Sequence, residues 1–346
     1  MYAFVRKSAL ALLATVAVVG VGASPALADE GDVTWTVRTA SNKFGEARSS
    51  YTYSMNPGAP TKDAMVVANR GKDPLTLTVY AADGFTTDTG QLDLRTKDQK
   101  PVGIGAWLKT DRASISLAPG KTTEVPFTVT VPANATPGDY VGGIITSLTQ
   151  PSDQPGINVE RRLGIRVKLR VGGDLAPSLA IENFNLDYNG TFNPFAKGNA
   201  TVSYTIHNTG NAAMSTQQSV SVAGPFGWFR TSPAELAMPP ELLPGESWKV
   251  TAPVNGITPA IWLAATADLS PVITDASGST TTLKKVTATA HGWAIPWTLL
   301  AALVLLIAAA IITRIALRRR RTQRKLREDA RVEEAVKQAL LSHEPA

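Results

Sequence analysis

The chain has 346 residues, no cysteine, 34 Lys+Arg against 28 Asp+Glu and a formal net charge of +6. Without cysteine it can form no disulfide, thiolate nucleophile, Cys-ligated zinc site or lipidated N-terminal cysteine. The positive balance sits at the ends: residues 29–293 carry 22 cations and 23 acids, so the basis for nucleic-acid binding falls away.

The first segment reads as an export signal. Arg6 and Lys7 precede an apolar run from Ala9 to Val21, and Ala26-Leu27-Ala28 offers a small-x-small cleavage site. Residues 1–28 are therefore expected to be a signal peptide, with Asp29 opening the mature chain. Export without disulfides suits the surface of a Gram-positive-type bacterium.

From 29 onward, alternating apolar runs such as Leu75–Tyr80, Thr123–Val131 and Leu163–Val171 are separated by Asn-Pro-Gly, Asp-Gly and Pro-Gly turns. This pattern predicts an all-β chain of two tandem Ig-like antiparallel β-sandwiches, over 29–172 and 173–290. An internal echo supports two related units. Leu117-Ala-Pro-Gly is matched by Leu242-Leu-Pro-Gly, and each follows an Asn-x-Gly turn, at Asn69 and at Asn208.

The stretch VPANATPGDYVGGI, residues 131–144, could be a glycine-rich phosphate loop or the corner of a sheet. A phosphate loop needs its glycines to open a helix with a lysine nearby, and neither is present. Pro137 and Gly138 are read as a turn, Tyr140 as a tyrosine corner starting the next strand, and Gly142 and Gly143 as further backbone punctuation.

The series Asn69-x-Gly71, Ala81-x-Asp83-Gly84, Trp107, Leu117-x-Pro119-Gly120 and Val131-Pro132…Pro137-Gly138-x-Tyr140-x-Gly142-Gly143 resembles the peptidoglycan-binding domain of the WxL-interacting proteins. Asn208-Thr-Gly-Asn211, Gly224-Pro-Phe-Gly227 and Leu243-Pro-Gly-Glu246 are similar to that family's second, Ig-like domain. The resemblance implies binding of peptidoglycan and of a partner surface protein of WxL type. In some members the second domain is linked to host proteins.

Chemistry is sparse. His207 stands alone in a predicted strand, His291 and His343 lie near and beyond the membrane, and no Gly-x-Ser-x-Gly elbow appears. No metal site or cofactor is implied. Asp83, Asp88, Asp93 and Asp98 share a loop-rich stretch and leave open an envelope glycan hydrolase, although solvated loop acids are the preferred reading.

Recognition features are stronger. Arg162, Arg166, Lys168 and Arg170 fall on one face of a strand whose other face is apolar. They form either a docking strip for anionic partners or the charged guard of an edge strand, the latter preferred. Phe226, Trp228 and Phe229 could stack on sugars or fill a partner's pocket, though plugging one end of the second sandwich is preferred.

The uncharged run 294–313 is long enough for a single membrane span. Trp293 and Trp297 would form its aromatic belt, and Arg318, Arg319, Arg320 and Arg321 place the tail 314–346 in the cytoplasm. A short helix lying on the membrane is expected in that tail. The expectation is a non-catalytic membrane-anchored surface protein that binds cell-wall polymer or an envelope partner. The alternatives are the hydrolase and an accessory subunit of a membrane complex.

Overall fold

The computed structural model describes residues 34–151, 158–193, 196–275 and 278–341. The signal-peptide reading and His343 lie outside these residues.

Ten strands build the first sandwich: β1 (Trp35–Thr39), β2 (Tyr51–Met55), β3 (Pro60–Asn69), β4 (Leu75–Thr86), β5 (Leu92–Leu94), β6 (Leu108–Thr110), β7 (Ser114–Leu117), β8 (Thr122–Thr130), β9 (Gly138–Pro151) and β10 (Asn158–Val171). A single helical turn, α1 (Ile104–Trp107), precedes β6. One sheet runs β1-β3-β8-β6, and the other β2-β10-β9-β4-β5 with β7 also on β4. Every pairing is antiparallel except β2 with β10. Period-two alternation explains the two faces: in β8, Val125, Phe127 and Val129 are buried while their neighbours are not. They meet Leu77, Ile144, Val167 and Leu169 from the opposite sheet in one core.

The second sandwich contains β11 (Leu179–Asn189), β12 (Gly198–Asn208), β13 (Met214–Ala223), β14 (Ser247–Ile257), β15 (Ile261–Thr274), β16 (Thr280–Thr282) and β17 (Val286–Ala294). Its sheets are β11-β12-β14 and β13-β15-β16, the latter with β17 on β15. Val202, Tyr204, Ile206, Val254 and Leu269 fill a separate core. The all-β architecture expected from the turn-and-alternation pattern is what the chain adopts.

The sequence echo has a structural basis. Asn69 is fully buried; its Nδ2 donates to the carbonyls of Asp73 (2.7 Å) and Leu117 (3.1 Å), and its Oδ1 accepts from Gly71 N–H (2.9 Å). Asn208, equally buried, repeats this with Ala212 (2.8 Å), Leu242 (2.9 Å) and Gly210 (3.0 Å). Each asparagine staples an Asn-x-Gly turn to the residue two before a Pro-Gly corner, adding side-chain hydrogen bonds to backbone carbonyls at a buried site. The glycines of those corners, Gly120 and Gly245, sit at φ +66 and +79.

Two expectations change. β10 lies between β2 and β9, so its cations do not guard an edge. Ala294 ends β17 with its side chain fully buried, and the C-terminal helix α2 (Trp297–Leu341) starts three residues later. It is 45 residues long, and no glycine or proline interrupts it, so the described part of the tail continues the same helix instead of forming a separate one. Among the described residues α2 is the one helix long and apolar enough to cross a membrane.

Candidate functional site

The two sandwiches meet around residues that the sequence marked for another reason. Pro137-Gly138-Asp139 opens β9 and packs on the Asn208–Asn211 turn of the second domain. Asp139 N–H donates to Asn211 O (2.8 Å), and Asn211 Nδ2 donates to Pro137 O (3.0 Å). Gly138 has φ +145, and a Cβ there would stand 2.4 Å from Asn211 O. Only glycine fits that approach.

Charge closes the junction. Arg170 grips Asp139 with two bonds, Nε to Oδ1 (2.6 Å) and Nη2 to Oδ2 (2.8 Å), while Asp139 also accepts Ala213 N–H (2.9 Å). The Asp139 carboxylate raises the pKa of the Arg170 guanidinium above its ordinary value, against the opposing effect of partial burial. Arg170 Nη2 further donates to Thr274 O (3.2 Å), and Lys168 pairs with Glu241 (2.9 Å). Across the cleft, Thr86 donates its N–H (2.8 Å) and hydroxyl (2.5 Å) to Glu246.

Above this seam lies an open cleft of about 890 Å³. Its walls come from Asp83-Gly84 at the end of β4, the 95–104 loop, the 136–141 stretch, Gly210-Asn211 and Leu243–Glu246. Asp83 shapes the first wall by accepting the N–H groups of Val102 (2.6 Å), Gly103 (3.1 Å) and Gly105 (2.8 Å). Exposed Arg95, Gln99 and Lys100 supply donors at the rim. Tyr140 lines the cleft, its ring 4.5 Å from Trp107 and its hydroxyl 3.0 Å from the Thr136 carbonyl. The arrangement offers hydrogen bonds, two cations and an aromatic side chain on a wide-mouthed surface.

The other sequence candidates are scattered. Gly142 and Gly143 stand inside β9, not at a turn; added Cβ atoms would strike Ile104 and Leu94, each at 2.4 Å, so they admit α1 and β5 onto the sheet. Of the four strand cations, Lys168 and Arg170 join the domain seam. Arg162 reaches Leu94 O (3.2 Å) and Asp93 (3.9 Å), and Arg166 is exposed beside a cavity of about 180 Å³. Phe226, Trp228 and Phe229 do not plug the sandwich; they are 88%, 61% and 59% exposed. Trp293 and Trp297 are exposed at the start of α2, and Arg318 to Arg321 lie along it. Of the loop acids, Asp83 holds backbone, Asp93 pairs with Arg162, and Asp88 and Asp98 face solvent. His207 Nδ1 is 2.8 Å from Glu182.

Sequence reasoning missed Arg95, Lys100, Asp139, Asn211 and Glu246 as neighbours. Each follows or lies between turns without periodicity, and only the contact of two domains brings them together. The Asn-Thr-Gly-Asn and Leu-Pro-Gly-Glu motifs were the available signals, because each ends on the residue that makes the contact.

The two sandwiches thus meet at an open cleft whose lining mixes polar and apolar groups. Residues 35–147 match the family described as "WxL Interacting Protein, peptidoglycan binding domain". That family supports a cell-wall-binding, non-catalytic role. No curated protein matches the chain. Among solved structures, the chain is similar to a PapD-like domain of human CEP192 (14% identity, 43% of this chain and 92% of that one, TM-score 0.27). It is also similar to the E. coli chaperone DraB (10%, 74% and 98%, 0.32). A third similarity is to a family 123 glycoside hydrolase from Clostridium perfringens (12%, 40% and 27%, 0.28). At these scores the similarities carry no argument about activity.

Proposed function

We propose that the chain is a non-catalytic, membrane-anchored surface protein that holds cell-wall peptidoglycan in the interdomain cleft. The observation that carries this reading is that the family match, residues 35–147, includes the cleft wall bearing Asp83, Arg95, Lys100 and Tyr140. Peptidoglycan presents amides, hydroxyls and stem-peptide carboxylates. Arg95 and Lys100 suit the carboxylates, and Tyr140 adds an aromatic side chain to the same wall for apolar contact with a sugar.

The rest of the chain supplies position. α2 anchors the protein with its N-terminal domains outside and its arginine-rich end in the cytoplasm. The 11-residue strands β12 and β14 run between the two ends of the second domain, and at about 3.3 Å per residue they span roughly 35 Å. The second sandwich is then a spacer that lifts the cleft off the bilayer towards the wall. A secreted partner of WxL type would meet the same exposed domain.

Sedimentation of the detergent-solubilised full chain with purified cell wall tests the reading. Retention at low salt, falling as salt rises, is expected, with the double variant Arg95→Ala/Lys100→Ala retained less than the parent. Equal recovery in the supernatant with and without wall would refute wall binding. Retention indifferent to both residues would move the site elsewhere.

A further inference from the structure

The end of the second sandwich opposite the domain seam is where β15 begins, β17 finishes and α2 departs. Every loop at this end carries an exposed apolar residue. Phe192, between β11 and β12, is 94% exposed; Phe226, Trp228 and Phe229 follow β13; Ile261, opening β15, is 62% exposed; Trp293, closing β17, is 73% exposed. Phe192, Trp293 and Trp297 line one surface hollow of about 590 Å³. An exposed patch of this kind marks an interaction surface.

Backbone conformation keeps these groups outward. Five non-glycine residues among those described have left-handed φ, and three belong to this end: Phe226 (+59°), Phe229 (+54°) and β-branched Ile261 (+66°). Bulky residues adopt such φ at a cost, and nothing in the core is gained by these three, since all are largely exposed. Lys197 lies in the same loop as Phe192 and Arg230 directly follows Phe229 in another, while the acids of the β13–β14 connection, Glu235, Glu241 and Glu246, come later in it.

Position identifies the occupant. α2 begins at Trp297, three residues beyond the buried end of β17, so the start of the span and the aromatic loops share one level. Aromatic side chains with nearby cations are suited to the interface between hydrocarbon and phosphate headgroups. We infer that this end of the second sandwich is seated in the lipid headgroup region. Phe192, Phe226, Trp228, Phe229 and Ile261 form a collar around the root of α2, with Lys197 and Arg230 on lipid phosphates. The inference rests on α2 being the membrane anchor. It gives the spacer a fixed footing: a sandwich held at several loops cannot swing on the short 295–296 connection.

The natural absence of cysteine makes the test direct. Single cysteines replace Phe192, Trp228, Leu305 within α2, and Lys121 in the distant first domain. Each full chain is spin-labelled and reconstituted into vesicles of phosphatidylcholine and phosphatidylglycerol. Accessibility to lipid-soluble oxygen is compared with accessibility to a water-soluble nickel chelate. Labels at 192 and 228 are expected to show higher oxygen and lower nickel accessibility than the label at 121, in the direction of 305. If 305 reports lipid while 192 and 228 match 121, the seated collar is overturned and the span stands. If 305 itself reports water, the anchor reading fails and takes the collar with it.

Discussion

Asn69 and Asn208 show how one side chain can organise a domain end. Each is fully buried and bonds two backbone carbonyls and one N–H at a turn. Replacing either by alanine removes three hydrogen bonds at a buried turn, at about 1–3 kcal/mol by the usual cost of lost buried polar partners. Urea denaturation of Asn69→Ala and Asn208→Ala should show losses in that range. The two losses should be similar because the geometry is.

Asp63 is the second decisive residue. Its side chain has no solvent access, and it accepts from Arg48 (2.8 Å), Tyr53 (2.7 Å), Asn42 (2.6 Å) and Ala64 N–H (2.8 Å). Burial pushes its pKa up, but the hydrogen bonds from Arg48, Tyr53, Ala64 and Asn42 outweigh it and hold the group below its ordinary 3.8. A depressed folded value means the contribution is complete above the ordinary value and is lost as pH falls through the folded one. The parent should therefore lose stability on acidification below about pH 4, the ordinary carboxyl range, and Asp63→Asn should flatten that limb of the profile. At neutral pH, Asp63→Ala leaves Arg48 unpaired and should cost about 3–5 kcal/mol, as expected when one partner of a buried ion pair is removed.

At the scale of elements, β10 shows both what a pattern can reveal and what it leaves open. Its alternation separated an apolar face from a cationic one at Ile165, Val167, Leu169 and Val171, all buried, but not at Leu163, which is exposed. Alternation is a property of one strand, however, and whether that strand lies at an edge depends on which partners arrive from elsewhere. β2 comes from more than a hundred residues upstream to pair in parallel with it. The charged face then meets the second domain, so its members differ in consequence. Arg166→Ala should change stability by no more than about 0.5 kcal/mol, as for an exposed surface residue. Arg170→Ala should cost more, about 1–3 kcal/mol, because Asp139 loses its charged donors. Thermal unfolding of the two variants side by side makes the comparison.

The aromatic cluster failed in the opposite sense. Aromatics beside turns usually cap a core, yet Phe226 and Phe229 take left-handed φ and project outward. The sequence neighbours Gly224, Pro225 and Gly227 announced a turn, but not its sign. Turn chemistry, alternation and the apolar run near the C-terminus were legible because they are local. The cleft was not, because Arg95, Tyr140, Asn211 and Glu246 converge only after two cores have formed.

For the whole molecule, the chain runs in order from the first sandwich through the seam to the second sandwich and α2. The seam bears on the cleft because both domains line it, the first supplying most of the wall and the second Gly210-Asn211 and Leu243–Glu246. Arg170–Asp139, Lys168–Glu241 and Thr86–Glu246 fix the two halves with polar contacts, while Gly138 permits the approach. A cleft so assembled is shaped by fold contacts, and its acids Asp83, Asp139 and Glu246 are engaged in holding backbone and partner side chains.

Hydrogen–deuterium exchange of the solubilised full chain, with and without saturating soluble peptidoglycan fragments, tests the central claim most directly. The account predicts new protection concentrated in 95–105 and 136–141, with a smaller effect at 210–211 and 243–246, and fragments recovered uncleaved. Protection confined to another face, or cleaved fragments, would contradict it.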